Sequence, residues 1–469
     1  MRLRFYAQRI VPYCVTTLMH DATVPAVGLD RKTAPPLHWG ERVDVPAYIR
    51  QTLPNGVELC SVFGAGDPAV RLMLYFPVDP HRSYPPLCRM AAMELMPRGT
   101  VRRSEQQVFD AMDSWGTMLQ CDSTHDYCLI SLQCLRDRFA ESLDLLYEIL
   151  TEPAYAEEEL RSWQLDRKVS LQASLQQPST LATRGVFQSL FPDGHPYGRF
   201  AVPDDCDRLT GDVLREFHAH YIGSANCTLI YAGAQDDEIL DCIKSKLGTS
   251  TWGQAQRSLT DNGIWPSGSG EPLVKTVSVQ QNQAAVRLGR LLPARTHLDY
   301  VPLDAAVTLL GGYFGSRLIS NLREEHGFTY GVSAFISFRR HGILVQIYSE
   351  IGNQYLVEAV RQIQYELERL QHEVPSEQEL DEVKASMLGE ALRRYDGAFR
   401  SASALLPQIV FPTLPATYPA ERLQALWNLT GEDFSAVAKE WLSPSDFTLS
   451  VSGAADVIDP VQWPTSCAQ

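Results

Sequence analysis

Two hydrophobic periods alternate along the chain. In "DYCLISLQCL" (126–135) and "GILVQIYSE" (342–350), short apolar runs and alternations predict strands with at least one buried face. In "RFAESLDLLYEIL" (138–150) and "LVEAVRQIQYELERL" (356–370), apolar residues recur at the spacing of one helix face. Further helices are expected at 104–115, at 316–325, and at the acidic openings "EEEL" (157–160) and "EQEL" (377–380). Further strands are expected at "TMLQCDS" (117–123) and "TYGVSAFIS" (329–337).

These elements come twice in one order. Residues 209–234, LTGDVLREFHAHYIGSANCTLIYAGA, align without a gap on 429–454, LTGEDFSAVAKEWLSPSDFTLSVSGA. Each copy is a helix opened by a Thr cap, then a turn, then a strand closed by Gly-Ala. A period near half the chain means duplicated domains rather than a solenoid, and 469 residues exceed what one core accommodates. The break falls at 256–272, where "RSLTDNGIWPSGSGEP" has linker composition. The expected division is an N-terminal extension (1–45), a first domain (46–255), the linker, a second domain (273–457) and a C-terminal tail (458–469). Strands joined by hairpins with long helices between them make each half α+β, an antiparallel sheet covered by helices on one face.

Charge and composition narrow the function classes. The formal net charge of −15 and the lack of any Lys/Arg run exclude the basic face of a nucleic-acid binder. No apolar run reaches bilayer length, so no membrane partner is expected. The start, "MRLRFYAQRIVPYCVTTLMHDATVPA", carries early arginines. Its apolar stretch is broken by Arg9, Pro12 and Tyr13, and it reads as a mature extension rather than a signal peptide. Ten cysteines without CxxC pairs, several within apolar alternation, read as buried thiols in the cytoplasm, with the periplasm left open.

Three stretches carry a wider resemblance: "GGYFGSRLISNLREEHGFTYGVSA" (311–334), "FPDGHPYGRF" (191–200) and "PRGTVRRS" (97–104). With them the chain resembles the pitrilysin/insulinase family of metallopeptidases over roughly 46–457. The resemblance implies two homologous domains forming half of a clamshell. Active members carry His-x-x-Glu-His on a helix of the first half, two imidazoles one turn apart on a Zn²⁺ and a glutamate as general base. Counting back from Gly99-Thr100 in "LCRMAAMELMPRGT", the ligand positions fall on Met90 and Glu94 and the base position on Met93. Sliding by one residue gives Ala91 and Leu95 as ligands. Neither register offers a histidine. The third ligand, a glutamate on a later helix, matches "VSLQAS" (169–174), and no carboxylate lies between Asp166 and Asp193. The resemblance therefore implies no metal and no cofactor in this chain, with Zn in a partner subunit.

In the second half Arg323 and Tyr330 match the pair that, in bacterial relatives, holds the substrate carbonyl opposite the zinc. A phenol and a planar guanidinium are suitable fixed donors for a developing oxyanion. The competing reading pairs Arg323 with Glu324 or Glu325 and packs Tyr330 in the sheet. The resemblance thus implies a non-catalytic, substrate-positioning subunit of a heterodimeric zinc metallopeptidase, inactive alone. It would supply Arg323 and Tyr330 in trans to a zinc-bearing homologous subunit acting on unfolded peptides. The alternatives are a structural core subunit and a peptide-binding clamshell without peptidase role. Other features are bland: His195 in "HPYGR" reads as a loop brace, and His218 and His220 lie on different sides of a helix. "LLGGYFGS" lacks the Lys-Ser/Thr of a phosphate loop.

Overall fold

The repeat in the sequence becomes two sheets of one topology. The computed structural model describes Val43 and residues 45–464, apart from 65–67, 81, 83, 256–270, 280–281, 294–299, 340–341 and 411–416. Nearly all of the expected linker and of the N-terminal extension lie outside the described residues, as does the end of the expected tail. The first half supplies β1 (Ile49–Thr52), β2 (Glu58–Phe63), β3 (Ala69–Pro77), β4 (Met118–Ser123), β5 (Tyr127–Leu135) and β6 (Thr228–Gly233). The second supplies β7 (Leu273–Val277), β8 (Gln283–Pro293), β9 (Thr329–Arg339), β10 (Gly342–Gly352) and β11 (Thr448–Gly453). The orders are β1-β2-β6-β3-β5-β4 and β7-β11-β8-β10-β9, identical once β1 is set aside as an added edge. Pairing is antiparallel except for one seam in each sheet, β2 with β6 and β7 with β11. The last strand of each half returns through helices and inserts beside the first, a crossover that a hairpin cannot make.

Local signals account for the helices that frame the sheets. Glu105–Trp115 opens on a reciprocal box between Ser104 and Gln107 and closes on Gly116 in the left-handed region (φ 63°). The two LTG motifs act as expected: Thr210 caps Gly211–Tyr221 by accepting from Val213 N–H, and Thr430 forms a box with Asp433.

One face of each sheet holds a large core, built in the first half around Leu72, Leu74 and Phe76, and in the second around Val286, Leu288 and Val345. The opposite faces are also covered, which the sequence did not indicate. Helix Pro178–Leu190 of the first half lies on the second sheet, with Val186 and Leu190 against Leu344. Helix Gly397–Val410 of the second half lies on the first sheet, with Ala402, Leu405 and Ile409 against Cys60, Val62 and Ile230. Contact is close: a Cβ on Gly185 would stand 2.4 Å from Ser450 Oγ of β11. The second core also runs past the expected boundary at 457. Ile458, Val461 and Trp463 are buried in it, and the Trp463 indole N–H donates to the carbonyls of Pro444 and Phe447. No helix among the described residues is long and apolar enough to cross a membrane.

The glycine-rich "LLGGYFGS" has a packing role. Gly311 ends helix Tyr300–Gly311 where β9 crosses it, and a Cβ there would meet Ala334 N at 2.7 Å. Gly311→Ala should therefore force helix and strand apart and destabilise the protein by about 1–3 kcal/mol. Gly389→Ala, in the open interior of helix Glu377–Arg394, should stabilise by about 0.5–1 kcal/mol. Urea midpoints compare the two; a neutral Gly311→Ala would refute the close approach.

Candidate functional site

Arg323 and Tyr330 flank a helix end closed by Gly327 (φ +66°). The helix runs Arg317–Ile319 and widens into a π-helical turn, Ser320–Glu325, that carries Arg323. Two buried polar anchors fix this turn. Arg317 donates twice to Glu379 (2.7 and 3.2 Å), and the Asn321 amide donates to Glu366 (2.8 Å) and Gln362 (3.1 Å). Burial works against the Glu379 carboxylate, but hydrogen bonds from Arg317 and Ser376 outweigh it and hold its pKa below the usual range. Burial also pushes the Glu366 carboxyl up, against the Asn321 and Arg369 contacts. Arg323 itself is exposed. Its guanidinium lies 5.0 Å over the ring of Phe314, which is 66% exposed, and among the described residues it pairs with neither Glu324 nor Glu325.

Tyr330 sits in a β-bulge at the start of the edge strand β9. Thr329 pairs with Ile351 and Val332 with Ser349, so Tyr330 and Gly331 together oppose Glu350. Two buried hydroxyls lock the bulge. Thr329 donates to the Glu350 carbonyl (2.7 Å) and accepts from Gly331 N–H (3.1 Å), while Ser349 donates to the Gly331 carbonyl (2.9 Å). The bulge aims the tyrosine outward, and it is 90% exposed. The competing reading, a tyrosine packed in the sheet, does not describe this residue.

The matched zinc positions lie on helix Cys88–Leu95. Met93 is buried and Met90 partly buried, both packed in the first core. Glu94 reaches across to helix Glu157–Ser174, accepting from the Trp163 indole (2.7 Å) and from the Arg167 guanidinium (2.9 and 3.1 Å), which lies over the Trp163 ring. A cation–carboxylate contact thus joins helix 88–95 to helix 157–174, the pair that the resemblance matches to the metal-ligand helices. These residues do not fit a catalytic metal: thioethers are soft and neutral, and the one carboxylate is already committed to a guanidinium. Among the described residues no three His, Cys, Asp or Glu side chains converge as a metal site.

The histidines behave as the sequence indicated. His195 accepts from Tyr197 N–H and stacks on Phe191. The His218 ring donates to Leu150 O, and burial lowers its pKa to about 4; His220 accepts from Arg82. Sequence reasoning missed Arg167 and Trp163, which meet Glu94 from about seventy positions away, and Phe314, which reaches Arg323 across an irregular helical turn. It also missed the bulge, although a glycine next to Tyr330 inside a strand pattern is a signal for one.

With this geometry in view, comparison with known proteins is informative. Residues 208–387 match the family model for the peptidase M16 inactive domain. A Mycobacterium bovis protein named as an uncharacterized zinc protease is 24% identical over 302 residues, which is 63% of this chain and 68% of that protein. A probable mitochondrial-processing peptidase subunit alpha-1 of Arabidopsis thaliana is 21% identical over 210 residues, 44% of this chain and 41% of that protein. The solved peptidase M16 inactive domain from Pseudomonas fluorescens has the same fold, with a TM-score of 0.77 at 19% identity over 89% of this chain and 100% of that one. Over residues 208–387 the chain is thus similar to the peptidase M16 inactive domain, and its fold is that of a solved domain of that type.

Proposed function

We propose that this chain is the non-catalytic, substrate-positioning subunit of a heterodimeric zinc peptidase. One observation carries the reading: Tyr330 is 90% exposed, yet it is held by a bulge that two buried hydroxyls fix in place. An aromatic side chain so exposed contributes little to packing. A backbone so constrained is suited to presenting a group to something outside the chain.

In this role the metal and the general base come from a zinc-bearing homologous subunit. Tyr330 O–H donates to the carbonyl oxygen of the scissile peptide as negative charge builds there. Arg323 is the second donor, its fork oriented by the Phe314 ring beneath it. The bulge fixes the Tyr330 backbone before substrate arrives, so the direction of that donor is set in advance. The substrate is an unfolded peptide, whose backbone can lie along the edge strand β9. Unpaired and mostly buried cysteines among the described residues support a reducing compartment such as the cytoplasm.

The isolated chain should contain well under one equivalent of zinc by elemental analysis and hydrolyse no peptide. Stoichiometric zinc, with activity removed by a chelator and restored by metal, would contradict the reading.

In the complex with its zinc-bearing partner, Tyr330→Phe should lower kcat about 10²-fold and change KM less. Arg323→Ala should act in the same direction, and the double variant should be less than additive because both donors address one oxygen. The melting temperature should hold, since neither side chain is buried. Normal kcat with a large loss of stability would return both residues to a structural role.

A further inference from the structure

A cleft of about 310 Å³ opens between helix 157–174 and the start of helix 178–190. Its polar lining is Ser174, Ser179, Thr180, Thr183, Arg184 and Arg287, with no carboxylate among the lining residues. The two arginines differ. Arg287 is buried, and each of its nitrogens is committed: to Thr183 Oγ1 (3.3 Å), to the carbonyls of Val286 and Ser349, and to Glu350, which balances its charge. Arg184 donates from one nitrogen to Ala201 O (3.2 Å), lies 5.4 Å over the Phe200 ring, and pairs with no carboxylate among the described residues. Burial lowers its pKa with no acidic group acting the other way. The same cleft receives the first turn of helix 178–190, which opens on Pro178 without a side-chain cap.

We infer that this cleft is a carboxylate subsite for peptide, with the Arg184 fork as its anchor and the hydroxyls of Ser179 and Thr180 as further donors. The occupant is a peptide carboxylate, supplied by a free C-terminus or by an Asp or Glu side chain. A guanidinium with free donors on an aromatic shelf matches the planar geometry of that group. The subsite is wired to the proposed catalytic pair. Arg287 on the cleft floor contacts Glu350, whose carbonyl accepts the Thr329 hydroxyl that locks the Tyr330 bulge. A carboxylate held here would set the register of a peptide presented to Tyr330. The inference rests on the reading of this face as peptide-binding, but its test requires neither the zinc-bearing partner nor catalysis.

The test is fluorescence anisotropy on the full-length chain alone with three fluorescein-labelled decapeptides: an uncharged sequence as free acid, the same sequence as C-terminal amide, and the amide with one internal Glu. The free acid should bind about tenfold more tightly than the amide at low ionic strength, with the advantage shrinking as salt rises. Arg184→Gln should erase that advantage without changing the amide's affinity. Thr180→Val should reduce it, and Arg184→Lys should retain part of it. An internal-Glu peptide that matches the free acid and loses affinity in Arg184→Gln also supports the subsite and assigns it to acidic side chains. Equal binding of all three peptides, an advantage that survives Arg184→Gln, or no binding up to millimolar chain overturns it. If peptidase activity with the partner fails while the acid–amide difference persists, the proposed function falls and the subsite stands.

Discussion

Each half of this chain builds a sheet with two apolar faces, and each half has enough helices for only one of them. The deficit is met by exchange: helix 178–190 crosses to the second sheet and helix 397–410 to the first. A one-sided sheet would leave Cys60, Val62, Met73 and Ile230, or Leu344, against water, at about 25 cal/mol for every Å² of apolar surface exposed. Neither half can unfold without stripping a covering helix from the other. The exchange also sets the functional geography. Helix 178–190 leaves the end of helix 157–174 and lands beside Arg287 of β8, so the end of one first-half helix and the second sheet meet around one cleft.

Within that frame an ion pair joins helix 88–95 to helix 157–174. Glu94 accepts from Arg167, with the Trp163 indole as a second donor. The pair is partly exposed, 37% and 27% for the two side chains, so its contribution is about 1 kcal/mol or less. Most of the helix–helix stability must then come from packing around Met93, Leu160 and Trp163.

Much of this was legible in the chain. Alternation in 126–135 and 342–350 became β5 and β10, and the paired LTG motifs became matching helix–strand units in two sheets of one order. Arg323 and Tyr330 were singled out only through a long matched stretch, because an arginine and a tyrosine seven apart have no period of their own; what the structure adds is their exposure. What escaped was non-local. The exchange of helices depends on which sheet face is left bare, and amphipathicity records that a face is apolar without naming its partner. The Glu94–Arg167 contact bridges 73 positions, and Phe314 comes under Arg323 through a turn of irregular helix. The end of the second domain was set too early because Val461 and Trp463 are buried by distant parts of the second core, with Trp463 bonded to Pro444 and Phe447, rather than by their neighbours in sequence.

The account's central claim is a division of labour between two chains, and mass together with metal content tests it most directly. The chain is mixed with a candidate zinc-bearing relative, the complex is sized by sedimentation, and its zinc and peptidase activity are measured against each chain alone. The account predicts a one-to-one complex, stable at micromolar concentration, holding one zinc per pair and hydrolysing peptide only when both chains are present. A zinc-bearing chain that is fully active alone and indifferent to this one would contradict it.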